Sequence, residues 1–173
     1  DWSSDVCSSD LAIAKTRPGQ MNYGSAGIAS VAHLAAALFA YQSGISLNHV
    51  PYKATVQSQI DIMAGRLDMQ VATVAPTLPA LRDGKLRALA TTGKKRLAVL
   101  SDVPTMMEAG VKDYVVALWM AFVTPAATPD VIIRRLNADM TAILTEADTV
   151  ENLRKQGFEQ IGRAHRLNSS HVA

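Results

Sequence analysis

Met21-Asn22-Tyr23 runs into Gly24-Ser25-Ala26-Gly27-Ile28-Ala29-Ser30, and the chain resumes at once as the apolar run Val31–Tyr41. That succession leaves few folds to choose from. It reads as a short strand, a tight Gly/Ser turn and a helix with Ser30 at its N-cap. A strand that turns directly into a helix belongs to a layered α/β arrangement. The turn also aims backbone N–H groups at one spot, at the positive end of a helix dipole. It is therefore a candidate anion site, and a carboxylate on a small solute is the anion expected there.

The remaining chain continues the alternation. Residues 12–16 read as the end of a helix, stopped by Arg17-Pro18-Gly19. In the helix Val31–Gln42, Leu34, Leu38 and Tyr41 share a face that is expected to point inward. A strand is expected over Leu47–Val50, then a helix over Thr55–Ala64 with Val56, Ile60 and Met63 inward and Gly65 closing it. Further strands are expected over Leu67–Val71, Leu86–Thr91 and Tyr114–Val123. Short helices are expected over Leu78–Arg82, after a turn at Thr73–Thr77, and over Met106–Ala109. Thr124–Pro129 is a linker with two prolines, resembling a crossover between domains. Thr128 should cap a helix over Pro129–Leu144, followed by another over Asp148–Gln156. The fold class is α/β, a mostly parallel sheet with flanking helices. Ligands bind beyond the carboxyl ends of such strands, so function should lie in the turns 24–30, 51–54, 72–77 and 91–94.

Composition excludes several classes. The chain has 173 residues, 49% apolar and 18% charged, enough for a real core. Its densest basic run is Lys94-Lys95-Arg96, and aromatics make up only 5%, which argues against nucleic-acid binding. No apolar run reaches the ~20 residues that span a bilayer, so no direct membrane insertion is expected. The two ends stand apart. Asp1–Leu11 has no helical or strand period. The reverse complement of one codon choice for it reads Ile161–His165 and, with one extra base, continues through Arg166–His171. Natural termini are not expected to encode each other's complement, and the string resembles a sequencing-library adapter. Residues 1–11 and 161–173 are therefore treated as translated scars outside the fold. The sole cysteine, Cys7, falls in the first of them and is not read as a nucleophile.

An ordered series of motifs carries a family resemblance. It comprises Asn22–Gly27, His33-Leu34, His49-Val50-Pro51-Tyr52-Lys53, Gly84–Ala90, Asp102-Val103-Pro104-Thr105, Glu108-Ala109-Gly110 and Pro125–Pro129. Together they resemble the substrate-binding proteins of tripartite tricarboxylate transporters, the Bug-type extracytoplasmic solute receptors. The resemblance spans nearly all of residues 12–160. It implies a periplasmic-binding-protein-like fold of two α/β domains that close on a small carboxylate and deliver it to a membrane permease. Residues 12–20 would end a helix of domain 1, 21–116 would form solute-binding domain 2, and 117–160 would return to an incomplete domain 1. The protein would be a periplasmic monomer whose partners are the solute and the permease subunits of a tripartite transporter. No nucleic acid, cofactor or metal is expected. The export signal and the opposing wall of the cleft would lie outside this fragment.

The resemblance marks Gly24, Ser25, Ala26 and Gly27 as the ligand turn. Ala29 departs from the glycine usual in the family before the capping hydroxyl. Ser30 is first a helix cap. His33, in the first helical turn, either fixes a loop by hydrogen bonding or lines the cleft, whereas His49 is read as a packed strand residue. Tyr52 is a candidate cleft wall and Lys53 a candidate cation, against the plainer reading of a solvated loop lysine. Ala72 and Thr73 follow the third strand. Many relatives have Asp where Ala72 stands, and losing that carboxylate removes the natural partner of an ammonium group. A simple or aromatic carboxylate is therefore expected rather than an amino acid. Two other functions compete: the ligand-sensing domain of a cytoplasmic regulator, and a small-molecule enzyme. The enzyme is disfavoured, because Gly24-Ser25-Ala26-Gly27 is one residue short of a nucleophile elbow and no dinucleotide or phosphate fingerprint is present.

Overall fold

The computed structural model describes residues 12–118 and 120–158. The two end segments set aside above lie outside the described residues. The chain divides into two compact units, one running up to residue 118 and one after it. In the first, three strands form a parallel sheet: β1 (Met21–Ser25), β2 (Leu47–Pro51) and β3 (Met69–Gln70), in the order β2-β1-β3. β1 pairs with β2 from Met21↔Leu47 to Ser25↔Pro51, and with β3 at Tyr23↔Met69 and Gly24↔Gln70. Each strand is followed by a helix: α1 (Val31–Ser43), α2 (Thr55–Met63) and α3 (Val74–Arg82). Successive parallel strands need such crossovers, and helices supply them.

Both helix faces expected from apolar spacing are corrected. On α1 the buried residues are Ala35, Ala36 and Phe39, while Leu34 and Tyr41 are exposed and Leu38 only borders the core. The two alanines let the helix lie close, and the Tyr114 hydroxyl donates to the Ala35 carbonyl at 2.9 Å. On α2 the exposed residues are Val56, Ile60 and Met63, and the buried ones are Ser58 and Gln59. Gly24 explains this turn of the helix. A Cβ there would meet Ser58 Cβ at 2.6 Å and Leu67 Cδ1 at 2.8 Å, so the helix lies this close to the strand only because position 24 has no side chain. The buried polar groups are then satisfied. Ser58 Oγ donates to Gln70 Oε1 at 2.6 Å, and Gln59 Nε2 to Thr77 Oγ1 at 2.6 Å.

Phe39, Val111 and Tyr114 form the apolar centre, flanked by Leu38, Ile45, Leu47, Met69, Met106 and Val116. Phe39 and Tyr114 meet edge to face, with ring centroids 6.5 Å apart. Burial pushes the Tyr114 phenol up to about 12.

Beyond α3 the expected elements thin out. Of the stretch Leu86–Thr91, only Thr91 joins a ladder, through a single parallel bridge to Thr105. Its N–H donates to the Pro104 carbonyl at 2.8 Å, and its own carbonyl accepts from Met106 at 2.9 Å. Tyr114–Val123 is not a strand over its described residues; Val116 N–H donates to the Thr92 carbonyl at 2.9 Å. A strand exists only through its partner's hydrogen bonds, and alternation alone does not provide one. Met106–Ala109 is a turn rather than a helix. It is held by a reciprocal capping box in which Thr105 N–H donates to Glu108 Oε2 (2.7 Å) and Glu108 N–H to Thr105 Oγ1 (3.1 Å). Conversely, the expected turn Thr73–Thr77 is mostly helix, because α3 starts at Val74 and tolerates Pro79 inside.

The second unit contributes α4 (Asp130–Thr145) and α5 (Ala147–Lys155). Pro129 stands at the cap position of α4, one residue later than the Thr128 cap expected, and makes no side-chain cap bond.

Candidate solute-binding site

The carboxyl ends of β2, β1 and β3 face one edge of the sheet. The β1–α1 turn therefore lies between the β2–α2 loop, carrying Tyr52 and Lys53, and the β3–α3 loop, carrying Ala72 and Thr73. All ten candidate residues fall on β1, on these three connections, or in the first turn of α1.

The turn is built from inside. Ser25 ends β1 and is buried, and its hydroxyl is committed to the protein. Ser25 Oγ lies 2.7 Å from His49 Nε2, donates to the Gly27 carbonyl at 3.0 Å and accepts the Gly27 N–H at 3.2 Å. The side chain of Ser25 therefore shapes the turn from behind. Gly24, also buried, serves the approach of α2 described above. Gly27 has φ +113°, which a side chain rarely adopts. Ser30 caps α1 as expected: its Oγ accepts the His33 N–H at 3.2 Å and donates to the Gly27 carbonyl at 2.8 Å. Ala29, where a glycine would be usual, indeed occupies the left-handed region, at φ +62°. Its N–H donates to His33 Nδ1 at 3.0 Å. Among the described residues, the backbone N–H groups of Ala26 and Ile28 have no partner.

His49, read from the sequence as a packed strand residue, is part of this arrangement. Tyr23, His49 and His33 stack as three near-parallel rings. Centroids lie 4.9 Å apart for Tyr23–His49 and 4.1 Å for His33–His49. The register Tyr23↔His49 places the two side chains side by side on one face of the sheet. Knowledge of that pairing was the missing signal, because the two residues are far apart in sequence. Burial, and then the neighbouring His33, hold His49 below the usual histidine range, and burial pushes the Tyr23 phenol up. His33 and His49 are not joined by carboxylates: no cluster of three or more His, Cys, Asp or Glu able to hold a metal occurs among the described residues.

The flanking loops contribute less than expected. The Tyr52 N–H donates to the Ser25 carbonyl at 3.0 Å, which ties the β2 loop to the turn. Its hydroxyl donates to Asp61 Oδ2 at 2.6 Å, and Asp61 is itself paired with Arg66. The hydrogen bond to Asp61 raises the Tyr52 phenol above its ordinary value, and Arg66 first, then Tyr52, lower the Asp61 carboxyl. Lys53 is exposed. Ala72 is half-buried, and Thr73 is exposed at the start of α3, where it makes no side-chain cap bond.

Comparisons with known proteins bear on the family and the fold. Residues 6–168 match the model of the tripartite tricarboxylate transporter family receptors. The chain belongs to that family. It is a family of solute receptors rather than enzymes. A relative in Pseudomonas sp. (strain P51), the UPF0065 protein in the tcbD-tcbE intergenic region, is 34% identical over 89% of this chain and 46% of its own length. Among solved structures, Rpa4515 of R. palustris with adipate superposes with a TM-score of 0.81 at 33% identity, over 85% of this chain and 49% of that one. MatC of Rhodopseudomonas palustris with bound malate gives 0.76 at 27%, over 87% and 51%. The chain thus spans about half the length of these relatives.

Proposed function

We propose that this chain is the solute-holding part of a periplasmic receptor that captures a small carboxylate and passes it to the permease of a tripartite tricarboxylate-type transporter. The observation that carries the reading is the β1–α1 turn. It offers the Ala26 and Ile28 N–H groups beside a capped helix start, at the carboxyl edge of the parallel sheet. Donors fixed in place by Ser25, Ser30 and His33 need little reordering when an anion arrives. The receptors solved with adipate and with malate support a carboxylate as the solute class. Ala72 offers no charge to an ammonium group, which favours a simple acid over an amino acid. Domain closure over the bound solute, of the hinged periplasmic kind, would complete the site.

Calorimetric titration of the full-length receptor tests this. Adipate or malate should bind and raise the melting temperature, while the corresponding diamides and amino acids should not. Gly27→Ala, strained at φ +113°, should weaken the acid by about fivefold or more with the fold intact. Tight binding of the diamide, or indifference to Gly27→Ala, would remove the turn from the site.

A further inference from the structure

The paired histidines are bonded to the turn at two separate points, and one bond dictates a protonation state. A backbone N–H can only donate, so His33 Nδ1, which accepts from Ala29 at 3.0 Å, carries no proton, and the ring's hydrogen sits on Nε2. A second proton on this ring would set donor against donor and release the Ala29 N–H. His49 is held from the other side by Ser25 Oγ at 2.7 Å. The two rings stack at 4.1 Å and 18°. At that separation a charge on one ring opposes a charge on the other. The titratable groups facing it are Tyr23 from β1, His33 from α1 and His49 from β2. Among the described residues no carboxylate and no Lys or Arg is hydrogen-bonded or ion-paired to either ring. Among the described residues no hydrogen-bonded or ion-paired counter-ion therefore accompanies a proton at this position, and an arriving carboxylate would supply one.

Resting on the carboxylate reading above, we propose that His33 and His49 are a positioning pair for the turn, and that capture of the carboxylate takes up one proton there. In the unliganded protein the neutral His33 secures Ala29 in its left-handed conformation and occupies its N–H. When the carboxylate arrives, His33 is protonated at Nδ1, the Ala29 N–H turns to the ligand beside those of Ala26 and Ile28, and a cation stands behind the turn. Linkage makes the effect reciprocal: acid favours the carboxylate as much as the carboxylate favours the proton.

Calorimetry of the full-length receptor with adipate, in buffers of different ionisation heat, reads both sides of this linkage. Between about pH 7.5 and about pH 6, where histidine titrates, affinity should rise roughly fivefold or more, with net proton uptake. His33→Asn puts an amide oxygen near the place of Nδ1, keeping the acceptor but not the titration. Relative to the wild type it should lose the gain in affinity on acidification and the proton uptake; protonation of adipate itself is shared by both proteins and cancels in that difference. Wild-type binding that is flat in pH, or tighter at the higher pH, overturns the proposal and leaves the carboxylate reading standing. Failure of every carboxylate to bind overturns both. If His33→Asn does not fold, imidazole ¹⁵N shifts of the wild type decide: saturating adipate should raise the titration midpoint of one ring, and unmoved midpoints overturn the proposal.

Discussion

The unit up to residue 118 and the unit after it use the same raw material, amphipathic helices, with opposite results. In the first, α1 and α2 close on a sheet, and Phe39, Val111 and Tyr114 are sealed from water. In the second, no described residue is buried, although α4 carries Val131, Ile132, Leu136 and Ile143. The side-chain ion pairs of α4 and α5 are local. Arg135 pairs with Asp139 and Lys155 with Glu151, each at 2.8 Å and one turn apart, and Asp130 stands in the first turn of α4. Exposed pairs of this kind contribute little, because water and salt screen them. An apolar stripe permits a helix, but stability comes from the layer that covers it.

Perturbations of the two units should differ in rank, beginning with the core. Tyr114→Ala removes the centre of the cluster and the donor to Ala35, and should cost about 3–5 kcal/mol in a denaturant titration. A loss below ~1 kcal/mol would mean that the cluster is not the core. Gly24→Ala drives a methyl into Ser58 and Leu67 and should cost about 1–3 kcal/mol, while Ser25→Ala at the next position spares that contact. Ala29→Gly relieves the left-handed strain and should stabilise the chain by up to ~1 kcal/mol; unchanged stability would show that the His33 bond already offsets the strain. Tyr114→Phe loses one hydrogen bond, about 1 kcal/mol near neutrality. The pH dependence of that position has a definite sign. Its folded phenol lies above the unfolded value, so its contribution is complete below pH 10 and fades as pH rises toward about 12. The wild type should lose this margin in that window, and Tyr114→Phe should not. The smallest effects belong to the second unit: Leu136→Ala and Ile143→Ala should each shift stability by no more than about 0.5 kcal/mol. Core-sized losses there would erase the contrast between the units.

The legible part of the fold was local. Ser30 capping α1, Gly65 in a left-handed conformation after α2, and the order strand–turn–helix are consequences of neighbouring residues. The receptor family was legible too, through the ordered motifs. The inward faces of α1 and α2 were not, because spacing says only that a helix has an apolar side. Gly24 leaves the gap that Ser58 fills. The site showed the same division. The turn was readable, and so was Ala29 as the place where a glycine would be usual. The burial of the Ser25 hydroxyl, the commitment of Tyr52 to Asp61 and the enlistment of His49 were not.

What the sequence determined by itself is chemistry tied to position along the chain: a turn rich in backbone donors, a capping serine, and an alternation that only an α/β layer satisfies. What only the tertiary structure decided is which side chains meet. The pairing of β1 with β2 brings Tyr23, His49 and Ser25 together, and the return of α1 along the sheet lays His33 on His49. Contacts between residues so distant in sequence depend on strand register and on how closely a helix can approach. Those are set by packing of the whole unit, for which the glycine at position 24 is a necessary gap and not by itself an instruction.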